Sequence, residues 1–166
     1  IPDLARQVTA GSRDPRETAV RLADHLSREY RYSLALERRT RLDPLEEFLF
    51  VSRAGNCEYF AAALAVMLRT QGVPARVVGG FQRGEWNPYG RYFTVRMRDA
   101  HAWVEAYLPG AGWRGFDPTN NKLVGFEHVS VAVASEHQKA SPLSGTWEGP
   151  SDAFDRMEVS VQVVSQ

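Results

Sequence analysis

Residues 60–68 are apolar without a break, and no other segment constrains the fold of this chain so strongly. A helix that is apolar on every side belongs inside a core rather than on its surface. Gly55-Asn56 interrupts the chain just before this run, which places Cys57 in the first helical turn. Gly72 supplies a C-terminal stop and Pro74 follows it, since proline cannot continue the helix. The remaining elements must therefore be arranged around a buried helix that begins at a cysteine.

Two further helix starts precede it. Asp14-Pro15 pairs a capping residue with proline at the first helical position, and Ala19, Leu22, Ala23, Leu26 and Tyr30 then recur at helical spacing. Asp43-Pro44, with Glu46 placed as in a capping box, predicts a short helix through Leu45, Phe48 and Leu49. Beyond Pro74 the period changes, and residues 75–81, 92–98, 102–108 and 113–116 read as successive strands. Their turns contain Asn87-Pro88-Tyr89-Gly90 and Pro109-Gly110-Ala111-Gly112. Helices followed by an antiparallel meander predict an α+β domain. Val129, Val131 and Val133 alternate, as do Val159, Val161 and Val163, with a loop rich in Ser, Gly and Pro at 141–154. We read 1–126 as a core and 127–166 as a β extension packed on it.

Composition removes several function classes. With 166 residues, 43% hydrophobic and 24% charged, the chain is long enough to bury one real core. Its formal net charge is zero, which argues against nucleic acid or an anionic membrane surface as a partner. The basic residues are almost all arginine, Lys122 and Lys139 being the exceptions, as genome bias or avoidance of self-modification at lysine would produce. A single cysteine rules out an intrachain disulfide and a thiolate metal cluster. No apolar stretch reaches the length of a membrane span. The start at Ile1-Pro2-Asp3 suggests an excised domain or a processed product, and any anchor or targeting signal of a parent protein would lie outside this sequence.

Three residues carry candidate chemistry. At a helix N-terminus, unpaired N–H groups and the positive dipole end lower a thiol's pKa, and the same N–H groups can hold an oxyanion. From position alone, Cys57 is either such a nucleophile or a small packed residue. His101 begins a predicted strand whose alternation puts His101, Trp103 and Glu105 on one face, with Ala102, Val104 and Ala106 on the other. Asp117 ends the next strand, across a tight turn, where adjacent antiparallel strands bring side chains within reach. Alone, His101 reads as a structural histidine and Asp117 as a turn residue before proline. Together with Cys57 they supply a nucleophile, a base and an orienting carboxylate.

The stretches Gly55-Asn56-Cys57-Glu58-Tyr59-Phe60, Gly72-Val73-Pro74-Ala75-Arg76-Val77-Val78, Asp99-Ala100-His101-Ala102-Trp103-Val104-Glu105 and Gly112-Trp113-Arg114-Gly115-Phe116-Asp117-Pro118-Thr119 resemble the bacterial transglutaminase-like core over residues 14–120. The resemblance implies a papain-like α+β fold, the cysteine helix packed on an antiparallel sheet, with Cys57, His101 and Asp117 as the catalytic triad. Glu85-Trp86-Asn87-Pro88-Tyr89-Gly90 is similar to the membrane-anchored branch, which implies an extracytoplasmic, periplasmic location. The tail, from Gly125-Phe126-Glu127-His128 through Ser144-Gly145-Thr146-Trp147 to Met157-Glu158-Val159-Ser160-Val161, instead resembles a soluble branch, which leaves a cytoplasmic location open. In the animal enzymes a tryptophan well before the cysteine completes the oxyanion hole. Here Trp86, Trp103, Trp113 and Trp147 all follow Cys57, so the second donor is unassigned, with Trp86, Gln82 and Asn56 as candidates.

Lesser features remain. Glu58 is a candidate for tuning the thiolate or binding an amine, or an ordinary ion-paired carboxylate. Trp86 and Tyr89 are candidates for a substrate-binding wall, or plain turn packing. His25 is expected to be solvated, and His128 and His137 are spaced too far apart for a local metal pair. No acidic cluster has calcium-site spacing, so no metal or other cofactor is expected. The arginines between Arg31 and Arg41 read as a solvated loop or a partner surface. The expected reaction is attack of Cys57 on the carboxamide of a protein glutamine, giving a thioester resolved by an amine or by water. Peptide or peptidoglycan amide cleavage by the same triad is the alternative, and a non-catalytic binding domain the reading from another class.

Overall fold

The computed structural model describes residues 1–35, 40–82, 84–90, 92–119 and 158–162. Backbone contacts divide the chain into two compact units, Ile1–Gly79 with His101–Phe126 and Gly80–Ala100 with Glu127–Gln166.

The first unit opens with α1 (Pro2–Val8) and α2 (Pro15–Glu29). Asp14 caps α2 as its sequence predicts, the side chain accepting the Glu17 N–H at 2.8 Å. A short α3 (Pro44–Glu47) follows, with Asp43 Oδ1 accepting the Leu45 N–H at 2.9 Å. It does not run on as an α-helix: residues Phe48–Ser52 form a π-helical turn that ends on Arg53 at φ 48°. The buried helix, α4 (Cys57–Thr70), starts at the cysteine and carries Phe60, Ala61, Ala63, Leu64, Ala65, Met67 and Leu68 fully out of solvent. Both α1 and α2 pack on it. Each such Leu, Met or Phe contributes about 1.5–3 kcal/mol on burial, so α4 is the principal anchor of this unit. Gly72, at φ 75°, ends it as expected.

Against the helices lies a sheet in which β3 (Ala75–Phe81), β6 (Ala100–Leu108) and β7 (Gly112–Phe116) are neighbours in that order. β6 and β7 form an antiparallel hairpin in which Val104 faces Phe116 and Leu108 faces Gly112. Ala102, Val104, Ala106 and Leu108 point into the core and join the α1, α2 and α4 side chains there. The alternation of β6 thus falls as its sequence predicts.

Two elements of this unit escape a periodicity reading. A two-residue strand β1 (Arg31–Tyr32) pairs in parallel with β2 (Ala54–Gly55), with Arg31 opposite Ala54 and Tyr32 opposite Gly55. Such a short bridge leaves no hydrophobic pattern. His25 also departs from expectation. Its Nε2 is buried without a hydrogen-bond partner and its ring meets Tyr30 edge-on, so it is half-buried rather than solvated. Burial, and secondarily Arg53, lower its pKa below the ordinary 6.5 against the opposing pull of Glu29.

In the second unit, β4 (Glu85–Asn87) pairs antiparallel with β5 (Tyr92–Arg96), which pairs in turn with β8 (Glu158–Gln162). The meander expected from sequence is therefore corrected: residues 92–96 sit in a separate sheet from β3, β6 and β7. A 3-10 turn at Met97–Asp99 is the physical cause. The Asp99 carboxylate accepts the Arg96 N–H at 2.8 Å, ending β5 two residues before its apolar pattern does. The expected strand at 129–133, the loop at 141–154, His128 and His137 lie outside the described residues, as do Arg38 and Arg39 of the arginine run.

Candidate active site

Cys57 is the first residue of α4 and is partly exposed. Asn56 caps the helix, its side chain accepting the Tyr59 N–H at 3.4 Å. The Cys57 N–H lies in the first turn, where it has no partner within the helix. The approach to Cys57 is fixed by Gly55, which is buried. A Cβ there would stand 2.8 Å from Tyr59 Cβ and 2.9 Å from Phe48 Cδ2, so only glycine fits. The β1–β2 bridge clamps the same segment: Arg31 N–H donates to Arg53 O at 2.9 Å and Ser33 N–H to Gly55 O at 2.8 Å.

His101 stands near the start of β6 and Asp117 one residue beyond β7. Their side chains meet at 2.6 Å between Nε2 and Oδ2, with only 8% of the histidine side chain and 1% of the carboxylate exposed. Asp117 Oδ1 is filled separately, accepting the Thr119 N–H at 2.9 Å and its hydroxyl at 2.6 Å. Burial pushes the Asp117 carboxyl up, but the hydrogen bonds from His101 and Thr119 outweigh it and leave the pKa below its ordinary value. An ionised carboxylate only accepts, so His101 must carry its proton on Nε2. That leaves Nδ1 as the basic ring nitrogen. The ring runs nearly parallel to that of Trp103, 6.5 Å between centroids and 22° between planes.

Tyr32 links the two halves of the site. Its ring packs near Phe60 of α4, 6.4 Å between centroids. Burial first, and then the neighbouring Cys57 and Asp117, push its phenol pKa above the ordinary 10. Sequence reading missed Tyr32 because it is brought to the site by a two-residue bridge to a segment far along the chain. Thr119 was missed as well, although an aspartate that bonds the backbone two residues on is a recognisable turn signal.

The remaining predicted residues are placed differently. Glu58 is exposed on the first turn of α4 and has no ion pair among the described residues. Asn56 spends its side-chain oxygen on the helix cap. Trp86 and Tyr89 belong to the second unit. There Trp86 packs on Phe93 at 4.8 Å while 47% exposed, and Tyr89 is 97% exposed at the tip of the β4–β5 hairpin. Gln82 lies in that unit too, its N–H donating to Asp99 O at 2.8 Å.

Residues 2–118 match the family model of the Transglutaminase-like superfamily. Over 110 residues, 63% of this chain and 16% of the relative, the sequence is 44% identical to a protein-glutamine gamma-glutamyltransferase of Pseudomonas aeruginosa. An uncharacterised protein of Mycobacterium tuberculosis is 28% identical over 99% of this chain and 53% of its own length. Among solved structures, the periplasmic domain of TgpA from Pseudomonas aeruginosa, bound to ethylmercury, superposes with a TM-score of 0.65 and 38% identity over 74% of this chain and 44% of that one. The chain thus spans between a sixth and about half of these relatives.

Proposed function

The chain belongs to the transglutaminase-like superfamily, and on that premise we propose that it is a thiol acyltransferase in which Cys57 is the nucleophile, His101 the base and Asp117 the residue that orients the histidine. The observation that supports this reading is the buried 2.6 Å contact between His101 Nε2 and an ionised Asp117, which leaves Nδ1 as the ring nitrogen able to accept a proton. His101 takes the Cys57 proton, and the sulfur attacks the carboxamide carbon of a protein glutamine side chain. The tetrahedral intermediate expels ammonia with the proton returned from His101, leaving a thioester on Cys57. An amine then gives an isopeptide bond, or water gives glutamate. The solved neighbour that is a periplasmic domain supports an extracytoplasmic location. No helix among the described residues is long and apolar enough to cross a membrane.

Incubation with a glutamine-containing protein and a biotinylated amine, followed by mass spectrometry, tests the reaction. Amine incorporation that disappears in Cys57→Ala is the expected result. A one-dalton gain with ammonia release marks the water branch of the same thioester. Backbone cleavage in place of both would replace the acyltransferase with a cysteine protease using the same three residues.

A further inference from the structure

The two oxygens of Asp117 are used differently. Oδ2 meets His101 Nε2 at 2.6 Å, while Oδ1 accepts two hydrogen bonds from one residue, the Thr119 N–H at 2.9 Å and the Thr119 hydroxyl at 2.6 Å. We infer that Thr119 is a positioning residue of this site, whose hydroxyl pins Asp117 Oδ1 and thereby presents Oδ2 to His101 Nε2. The inference rests on the reading of Cys57, His101 and Asp117 as nucleophile, base and orienting carboxylate.

A carboxylate turns about a broad terminal torsion, so a single bond at one oxygen leaves its plane free to swing. Two donors on the opposite oxygen fix that plane, and the imidazole then meets a stationary acceptor. The chain holds these donors in place. Proline locks its own φ and restricts the residue before it, so Pro118 limits how far Thr119 can move from Asp117. Pro118 is fully buried, and Phe116, on the other side of Asp117, is buried in the core. At 2.6 Å the hydroxyl contact falls in the short range of O–H···O⁻ bonds, which favour the ionised acid. Of titratable groups, His101 on β6 and Tyr32 on β1 sense this carboxylate.

Loss of the hydroxyl has two consequences. The carboxylate plane loosens, which costs alignment of His101 at every pH. Asp117 also takes up a proton at a higher pH, and once protonated it no longer fixes the proton of neutral His101 on Nε2. A more basic Asp117 would by itself favour protonated His101, so a faster reaction without the hydroxyl is the opposite of positioning.

Two substitutions separate this role from plain packing. Thr119→Val keeps the branched bulk and loses the hydroxyl, whereas Thr119→Ser keeps the hydroxyl and loses the methyl. The readout is the rate of Cys57 acylation by 4-nitrophenyl acetate followed across pH, with a thermal melt to check the fold. In Thr119→Val the rate at neutral pH is expected to fall about tenfold, the scale of one hydrogen bond to a charged group. Its acid limb should also move to higher pH. Thr119→Ser is expected to stay within about threefold of wild type with its acid limb in place. The reverse order, with Thr119→Ser impaired and Thr119→Val intact, overturns the inference, because the methyl would then be what matters. Equal loss in both, loss in neither, or a faster Thr119→Val overturns it too. Should Thr119→Val fail to fold, Thr119→Ala against Thr119→Ser gives the same comparison, since those two differ only by the hydroxyl. A wild-type Cys57 that the ester never acylates removes the nucleophile, and the inference with it. Hydroxyl-dependent acylation in a wild type that incorporates no amine into glutamine leaves the role of Thr119 standing while the proposed function fails.

Discussion

The two arms of the proposed active site are built by different means. The sheet arm, His101 with Asp117, depends on a hairpin whose strands are joined by a tight turn, and its contacts are local in sequence. The helix arm, Cys57 with Tyr32, depends on a bridge between Tyr32 and Gly55, on a π-helical turn and on a buried glycine. The first arm needs only strand register. The second needs segments that are distant in the chain to close on one another, at a cost in loop entropy that the surrounding core must offset. Disrupting the hairpin pair should therefore damage chemistry while sparing the fold, and disrupting the bridge should damage both.

The largest expected effect comes from the sheet arm. Asp117→Asn keeps the size of the side chain but can no longer impose the Nε2–H tautomer on His101. Acylation of Cys57 is expected to fall about 10³–10⁴-fold, as in other triads, with the melting temperature little changed. A loss of less than about tenfold would mean that Asp117 does not orient the base.

Gly55→Ala tests the other arm. The added methyl would collide with Tyr59 and Phe48, a case of overpacking worth about 1–3 kcal/mol. Denaturant unfolding should register that loss together with slower alkylation of Cys57, because the helix start moves with the clash. A stable variant with an unchanged thiol would break the proposed contrast between the arms.

The same contrast separates what is legible in the residues from what is not. The period-two pattern of 102–108, the turn at Pro109-Gly110-Ala111-Gly112 and the terminal Asp117 are enough by themselves to place the histidine and the carboxylate on neighbouring strands. The unbroken apolar run after Cys57 likewise announces a buried helix. What escaped was non-local. A two-residue strand has no periodicity, so nothing near Tyr32 points to Cys57. The apolar run through Phe48–Val51 (Phe-Leu-Phe-Val) reads as ordinary helix, although the backbone widens to a π turn. Residues 92–98 alternate far enough to suggest one long strand, but the Asp99 side chain caps Arg96 and turns the chain into another sheet. In each case a single side-chain or backbone contact outweighed the local pattern.

A smaller effect sharpens the sheet arm further. Thr119→Val removes one of the hydrogen bonds that hold the Asp117 pKa down, and a bond to a charged group is worth about 1.5–3 kcal/mol. The sign follows from linkage. Because the folded pKa of Asp117 lies below its unfolded value, its stabilisation is fully present above the unfolded pKa and is lost as pH falls through the folded one. Thr119→Val raises the folded pKa, so acid unfolding should begin at a higher pH than in wild type, while stability at neutral pH drops modestly. Identical acid-unfolding curves would remove Thr119 from the account.

The central claim is that His101 activates Cys57. The rate of iodoacetamide modification of Cys57, followed across pH in wild type and in His101→Ala, tests it most directly. The account predicts rapid, stoichiometric modification of the wild-type thiol near neutral pH, and in His101→Ala a slow reaction that recovers only towards the pKa of an ordinary thiol, about 8.5. Superimposable profiles, or a wild-type Cys57 inert in the folded protein, would contradict it.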